Sequence, residues 1–315
     1  MTAAATPRLA FIGLGSMGGH MSRRLATAGF DLTVFDIDAR RMAPLVAIGA
    51  RGARSVADAA GGAEVLLTSL PTPAAVADVP LGEGRALEAL PDGALWVDLS
   101  TSTPAVAAQV RSRAAARGIR TLDAPVAGMS KGAEAGTLSI YVGGEAGDMD
   151  RARPILEVIG DPAGIRHVGG PGAGYTVKLL LNLLWFSSLV AVTEVLTVGA
   201  RAGVDLAVLH DALIASPANS VLLERDLLPL LRSGDYEPGF AVALACKDLG
   251  LAVDLARATG VPVELSALVE QVFRRARAAF GDDAGEMSPV RLYEDVAGLE
   301  LRLTAAAAGA PPDPT

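Results

Sequence analysis

Residues 9–30 read LAFIGLGSMGGHMSRRLATAGF. A short apolar run leads into Gly13, Gly15 and Gly18 at G-x-G-x-x-G spacing, and a helical stretch follows that closes at Gly29. In such a turn the first glycine permits the sharp reversal, the second lets the backbone approach a pyrophosphate, and the third lets the helix pack on the strand. The helix N-terminus then faces the anion. Glycine-rich turns are common, so the weight lies in the context of a strand before, a helix after and a place near the start of the chain. Gly13, Leu14, Gly15, Ser16, Met17 and Gly18 are therefore the candidate cofactor cradle.

Working outward, residues 32–35 predict a second strand ending at Asp36, about 20 residues beyond the glycines, where a carboxylate accepts hydrogen bonds from the adenosine ribose. The same charge repels a 2'-phosphate and so favours NAD over NADP, although Arg40 and Arg41 follow closely enough to compensate. The alternative role for Asp36 is to cap a helical segment starting at Ala39. Further strands are predicted at 65–70, 95–99 and 121–122, separated by alanine-rich helical stretches such as 104–117. Alternation of this kind predicts an α/β domain with a doubly wound parallel sheet. Ligands of such sheets bind at the C-terminal strand ends, which here carry Leu70-Pro71-Thr72, Asp98-Leu99-Ser100-Thr101 and Asp123-Ala124-Pro125-Val126.

The segment GGPGAG at 169–174 is rich in turn residues, and beyond it the pattern becomes helical almost throughout. This places a domain boundary there: 1–170 as the dinucleotide-binding domain and 171–315 as an all-α domain. Lys178 and Asn182 are four apart on the first helix after the boundary, so they project from one face. An amine and an amide side by side can donate to a substrate oxygen and anchor its neighbour; the plainer alternative is a snorkelling lysine beside a packing asparagine. Lysine usage sharpens this, because the chain has only Lys131, Lys178 and Lys247 among 27 basic residues. Where arginine fills the solvated positions, a surviving lysine points to a site that needs an ammonium able to give up its proton.

Composition excludes several classes. A net charge of −8 with no basic stripe argues against nucleic acid. One cysteine, Cys246, and three scattered histidines, His20, His167 and His210, provide neither a disulfide nor metal-ligand spacing, so no metal is expected. Residues 1–8 lack the pattern of a signal peptide, and the most apolar run, 177–192, falls short of the roughly 20 residues of a membrane helix. A cytoplasmic protein with no membrane partner is expected.

Six ordered blocks then identify a resemblance: FIGLGSMG (11–18), SLPTP (69–73), DLST (98–101), DAPVAGMSKGAEAGTL (123–138), GAGYTVKLLLN (172–182) and FAVALACKDLGLA (240–252). Together they span nearly the whole chain, and the chain resembles the β-hydroxyacid dehydrogenase family, which includes 3-hydroxyisobutyrate dehydrogenases and tartronate semialdehyde reductases. The resemblance implies an N-terminal Rossmann domain joined by a long interdomain helix to an all-α C-terminal domain of the 6-phosphogluconate dehydrogenase kind, assembled as a homodimer or homotetramer. It implies that Lys178 is the general acid/base and that Asn182 helps hold a small carboxylate-bearing substrate. The turn of Ala127, Gly128 and Met129 would bind its carboxylate, and Thr101 would lie by the nicotinamide with Leu70 and Pro71 on the cofactor side. Lys247 would reach the cleft from a later helix, touching substrate and cofactor.

Two departures from the family pattern stand out. The substrate turn, commonly D-A-P-V-S-G-G, has Ala127 in place of serine and Met129 in place of the second glycine. Loss of a hydroxyl donor to a charged group costs about 1.5 to 3 kcal/mol unless replaced, so backbone N–H groups carry the carboxylate or the substrate differs; Ser130 and Lys131 are neighbouring candidates for replacement. After the lysine, Leu181 stands where many relatives have an asparagine, and Trp185 lies on the Lys178 face, either narrowing the pocket or packing in the core.

The implied chemistry is reversible hydride transfer between the nicotinamide and a carbinol carbon, with Lys178 taking the hydroxyl proton in oxidation and returning it in reduction. A lysine near pKa 10.4 needs desolvation or a nearby positive charge to act as a base at neutral pH. Oxidation is therefore expected to quicken toward alkaline pH. The alternatives are an imine reductase of the same plan, a branch that generally lacks this lysine, and a dinucleotide-binding protein without turnover. The substrate stays open among 3-hydroxyisobutyrate, another short hydroxyacid or semialdehyde, and an acid such as a sulfonate.

Overall fold

Four consecutive apolar residues, Leu9–Ile12, form strand β1 and are buried along their whole length. The computed structural model describes residues 6–82, 86–237 and 239–303, so the start of the expected N-terminal tail lies outside the described residues. β1 runs parallel to β2 (Leu32–Phe35) on one side and β4 (Val65–Thr68) on the other, with Leu9 opposite Leu32 and Val65. Successive side chains alternate between faces. Leu9 and Phe11 join one core with Val34, Leu67 and Val97, while Ala10 and Ile12 join a second with Leu66, Trp96 and Val110. Coverage on both faces is why these strands read as unbroken apolar runs.

With β3 (Arg51–Gly52), β5 (Leu95–Asp98) and β6 (Arg120–Asp123), the order is β3-β2-β1-β4-β5-β6, all parallel. The order reverses between β1 and β4, which opens a crevice at the C-terminal ends of the strands. To the doubly wound parallel sheet that the sequence predicts, the chain adds a mixed edge beyond β6. β7 (Val126–Ala127) and β8 (Leu138–Gly143) pair antiparallel, β8 is antiparallel to β6, and β9 (Gly160–Gly169) runs parallel to β8. Between β7 and β8 lies only the short helix Met129–Ala135, ended by Gly136 at φ 73°. That is less chain than the roughly dozen residues a parallel crossover takes. Three strands also differ in extent: β4 stops at Thr68, β5 at Asp98, and β6 extends at both ends to 120–123.

The chain divides into two compact units, Met1–Leu180 and Leu181–Thr315, the division falling inside the 29-residue helix Ala173–Arg201. That helix is longer than the apolar run seen in the sequence, and with a mean hydropathy of 1.9 it passes the length and composition test for a membrane span. One side of it packs inward in each unit: Tyr175 and Leu179 are fully buried in the first, and Phe186, Leu189 and Leu196 belong to the core of the second, while Leu184, Val195 and Val198 are exposed. That second core is built from helices, among them Val242–Thr259 and Glu264–Phe280, with a π-helical turn at Leu222–Asp226. Apart from a bridge between Ala241 and Gly285, its described residues carry no strand.

Candidate functional site

The glycine turn after β1 has the geometry its spacing predicts. Gly13 has φ 93°, and a Cβ there would lie 2.2 Å from the Ser69 carbonyl oxygen; a Cβ on Gly18 would lie 1.9 Å from the Gly13 carbonyl oxygen. Gly15 meets only the Arg41 guanidinium, at 3.6 Å, so its backbone stays open to a ligand. The helix Gly18–Thr27 starts at Met17 without a side-chain cap and without acidic residues in its first turn. An uncapped N-terminus beside an open glycine backbone fits a pyrophosphate.

Asp36 sits at the end of β2 with its carboxylate buried. Its Oδ2 accepts the Leu14 N–H at 2.7 Å and its Oδ1 accepts the Asp38 N–H at 2.8 Å. The Arg41 Nη1 lies 3.7 Å from Oδ2. The helix-cap alternative falls instead to Asp38, which accepts the Arg40 N–H at the start of the turn 39–41. Asp36 thus fixes the glycine turn directly, through Leu14.

The C-terminal ends of β4, β5 and β6 converge on a buried polar network. The Asp98 carboxylate accepts from the hydroxyls of Thr68, Ser100 (2.8 Å) and Tyr175 (2.5 Å). The Ser100 hydroxyl in turn accepts the Leu70 N–H at 2.8 Å, and Trp96 Nε1 donates to Thr68 at 3.0 Å. Asp123 accepts the N–H groups of Gly172 (2.7 Å) and Tyr175 (3.1 Å), at the start of the long helix. Burial outweighs these donors and pushes both carboxyls up to about 6, and it drives the Tyr175 phenol well above its usual value, with Asp98 adding to the effect. Thr101 is half-buried beside this network, and the neighbouring Ser102 hydroxyl is buried without a hydrogen-bond partner among the described residues.

The turn after β7 is strained where the first is not. Gly128 has φ 130°, and Met129 is the one non-glycine residue at positive φ (55°) among the described residues. Ala127 is half-buried, whereas Gly128, Met129 and Lys131 are exposed. Lys178 follows on the helix Ala173–Arg201, half-buried.

In the second unit, Asn182 Nδ2 donates to Asp248 Oδ2 at 2.7 Å, and Lys247 Nζ lies 3.1 Å from Asp248 Oδ1. Asp248 is 2% exposed, so this carboxylate holds an amide and an ammonium together in a dry setting. Trp185 packs against the second core, edge-on to Phe186, with its Nε1 bonded to Asp226 at 3.0 Å. Cys246 is buried and its thiol is pushed up by burial, which suits a small core residue rather than a nucleophile. Glu194 accepts the Tyr293 hydroxyl at 3.0 Å, and His20 is half-buried on the helix Gly18–Thr27.

Two features escaped the sequence reading. Asp248 is adjacent to Lys247, and a carboxylate on the buried face of a helix was the signal available. The convergence of Asp98, Asp123 and Tyr175 left no spacing to find, since only the fold brings positions 98, 123 and 175 together.

Comparison with known proteins covers both units. A model of the NAD binding domain of 6-phosphogluconate dehydrogenase matches residues 8–169, and one described as NAD-binding of NADP-dependent 3-hydroxyisobutyrate dehydrogenase matches residues 172–293. The 2-(hydroxymethyl)glutarate dehydrogenase of Eubacterium barkeri is 35% identical over 93% of this chain and 97% of its own length. The 3-hydroxyisobutyrate dehydrogenase of Pseudomonas aeruginosa is 39% identical over 84% of this chain and 90% of its own. Among solved structures, a Mycobacterium tuberculosis 3-hydroxyisobutyrate dehydrogenase with L-serine superposes with a TM-score of 0.85 at 31% identity, covering 91% of this chain and 99% of that one.

Proposed function

The chain belongs to the β-hydroxyacid dehydrogenase family as an NAD(P)-dependent oxidoreductase, and on that premise we propose that Lys178 is its general acid/base and Asn182 its substrate anchor. The observation that carries this reading is the shared helix: Lys178 and Asn182 stand one turn apart on Ala173–Arg201, and the Asn182 amide is held by buried Asp248. The nicotinamide, when bound, accepts or returns a hydride at the carbinol carbon. Lys178 as a neutral amine takes the hydroxyl proton in oxidation, and as an ammonium it gives that proton to the carbonyl oxygen in reduction. Asp248 orients Asn182 and balances the charge of Lys247, whose role is to bind substrate and cofactor.

Gly13, Leu14, Gly15, Ser16, Met17 and Gly18 hold the pyrophosphate, Leu70, Pro71 and Thr101 lie along the nicotinamide half, and Asp36 selects NAD over NADP. The backbone of Ala127, Gly128 and Met129 binds the substrate carboxylate. Because Ala127 supplies no hydroxyl, the carboxylate rests on backbone N–H groups, and the substrate is a small β-hydroxyacid or its semialdehyde. Exposed Leu184, Val195 and Val198 on the long helix support assembly as a homo-oligomer.

The test is nicotinamide absorbance against a panel of β-hydroxyacids and their semialdehydes with NAD and NADP, on wild type and Lys178→Ala. Lys178-dependent turnover of at least one member is expected. Equal turnover by the variant would remove the acid/base assignment.

A further inference from the structure

A buried hydrogen-bonded network around Asp98 joins the ends of β4 and β5 to the start of the long helix. It reaches the Leu70 N–H through the Ser100 hydroxyl on one side and the Tyr175 hydroxyl on the other. Leu70 belongs to the turn on the cofactor side, and Tyr175 precedes Lys178 by three residues on the same helix, roughly 4.5 Å of rise. Tyr175 is held twice, since its N–H donates to Asp123 Oδ2 while its hydroxyl donates to Asp98 Oδ2. The backbone around it has no slack. A Cβ on Gly174 would lie 2.4 Å from the carbonyl oxygens of Asp123 and Tyr141, and one on Gly143 would lie 2.6 Å from both Gly174 N and Asp123 Oδ2.

We propose that Tyr175 is a positioning residue for Lys178: its hydroxyl, bonded to Asp98, locks the first turn of the long helix in register with the strand-end turns that read the cofactor. This rests on the assignment of Lys178 as the acid/base. Beside the ladder of β4, β5 and β6, which reaches the helix start through Asp123, the side chains of Ser100, Asp98 and Tyr175 form a second and shorter link from the Leu70 turn to the helix turn bearing Lys178. The link is dry, with Tyr175 and Asp98 both fully buried, and hydrogen bonds to a desolvated carboxylate are short and directional. A displacement near 1 Å at a reacting group costs up to about a hundredfold in rate. Loss of the Tyr175 hydroxyl removes one of the two holds on the turn that carries Lys178, the other being the Tyr175 N–H on Asp123, while leaving the ring to fill its place.

The experiment uses Tyr175→Phe in the full-length enzyme, with the substrate identified from the panel and its analogue deuterated at the carbinol carbon. The expected result is a fall in kcat of about tenfold to a hundredfold, a cofactor KM within threefold of wild type, and a larger primary isotope effect on kcat, because hydride transfer becomes slower relative to product release. A merely structural role lowers the active fraction and leaves the isotope effect unchanged, and that result overturns the proposal. So does a kcat within twofold of wild type. Should Tyr175→Phe not fold, Ser100→Ala cuts the same link on its other side and is held to the same readouts. If wild type turns over and Lys178→Ala matches it, the acid/base reading fails and the positioning role with it. If turnover depends on Lys178 while Tyr175→Phe behaves as wild type, only the positioning role fails.

Discussion

Two tight turns follow strands in the first unit, and they are built by opposite rules. After β1, the tight positions are glycines: Gly13 at φ 93°, and Gly18 with no room for a Cβ beside the Gly13 carbonyl. After β7, Gly128 at φ 130° is followed by Met129 at φ 55°, where a side chain is carried in the left-handed region at a cost of about 1 to 2 kcal/mol. The first turn is the proposed cradle of a ligand common to a whole class of enzymes, so its geometry is generic and its sequence can be read by rule. The second keeps a strained, exposed methionine in the turn assigned to the substrate, and strain of that kind collects at functional positions. Generic chemistry is legible in the sequence of this chain; selectivity lies in the departures.

The sharpest way to break this contrast is to load the first turn as the second is loaded. Gly18→Val drives side-chain atoms into the Gly13 carbonyl, 1.9 Å from where the Cβ must sit. NAD affinity, followed by protein fluorescence on a variant whose circular dichroism matches wild type, is expected to fall by a hundredfold or more. Binding within threefold of wild type would show that the turn is not the cradle. The reciprocal experiment restores the family pattern in the second turn. Ala127→Ser returns a hydroxyl worth about 1.5 to 3 kcal/mol to a charged partner, so KM for a short hydroxyacid should drop about tenfold or more. An unchanged KM across the panel would take Ala127 out of the carboxylate site. Met129→Gly relieves the left-handed strain but adds unfolded-state freedom worth roughly 0.5 to 1 kcal/mol. Its midpoint of thermal unfolding should therefore stay within a few degrees while the space opened shifts preference toward larger substrates. A large loss of stability without a change in preference would make Met129 a packing residue.

The smallest expected effect concerns the network beneath both turns. Asp98 and Asp123 rise from 3.8 to about 6 in the folded state because they are buried. Between those values the folded chain holds protons that the unfolded chain has lost, so unfolding becomes harder as pH falls from about 6 toward 3.8. The contribution is fully present below 3.8 and is lost as pH rises through about 6. Asp98→Asn removes one of the two titrations, and its thermal midpoint should depend less on pH in that window, by a few degrees. Parallel curves for variant and wild type would mean that Asp98 keeps an ordinary carboxyl.

What the sequence made legible follows the same division. β1, β2, the glycine turn and the change to an all-helical second half come from local pattern, apolar runs punctuated by glycine, and the fold obeys it. The antiparallel edge of β7 and β8 was not legible, because Val126–Ala127 is too short to show alternation and the connection through Gly128 carries the reversal. Lys178 and Asn182 stood out by their spacing on one helix. Tyr175 did not, since an aromatic residue at the start of an apolar helix reads as core until the fold brings Asp98 to its hydroxyl. Asp248 was within reach: a carboxylate beside Lys247, on a helix face that includes Ala245, Leu249 and Ala252, has to be partnered once buried.

The most direct test of the account is turnover of the same β-hydroxyacid panel by wild type and by Lys178→Ala, each with NAD and with NADP and across the pH range. The account predicts turnover that is faster with NAD, rises toward alkaline pH in the oxidative direction, and falls by a thousandfold or more in the variant, with cofactor affinity unchanged. Turnover in Lys178→Ala within tenfold of wild type, with the same pH profile, would contradict it.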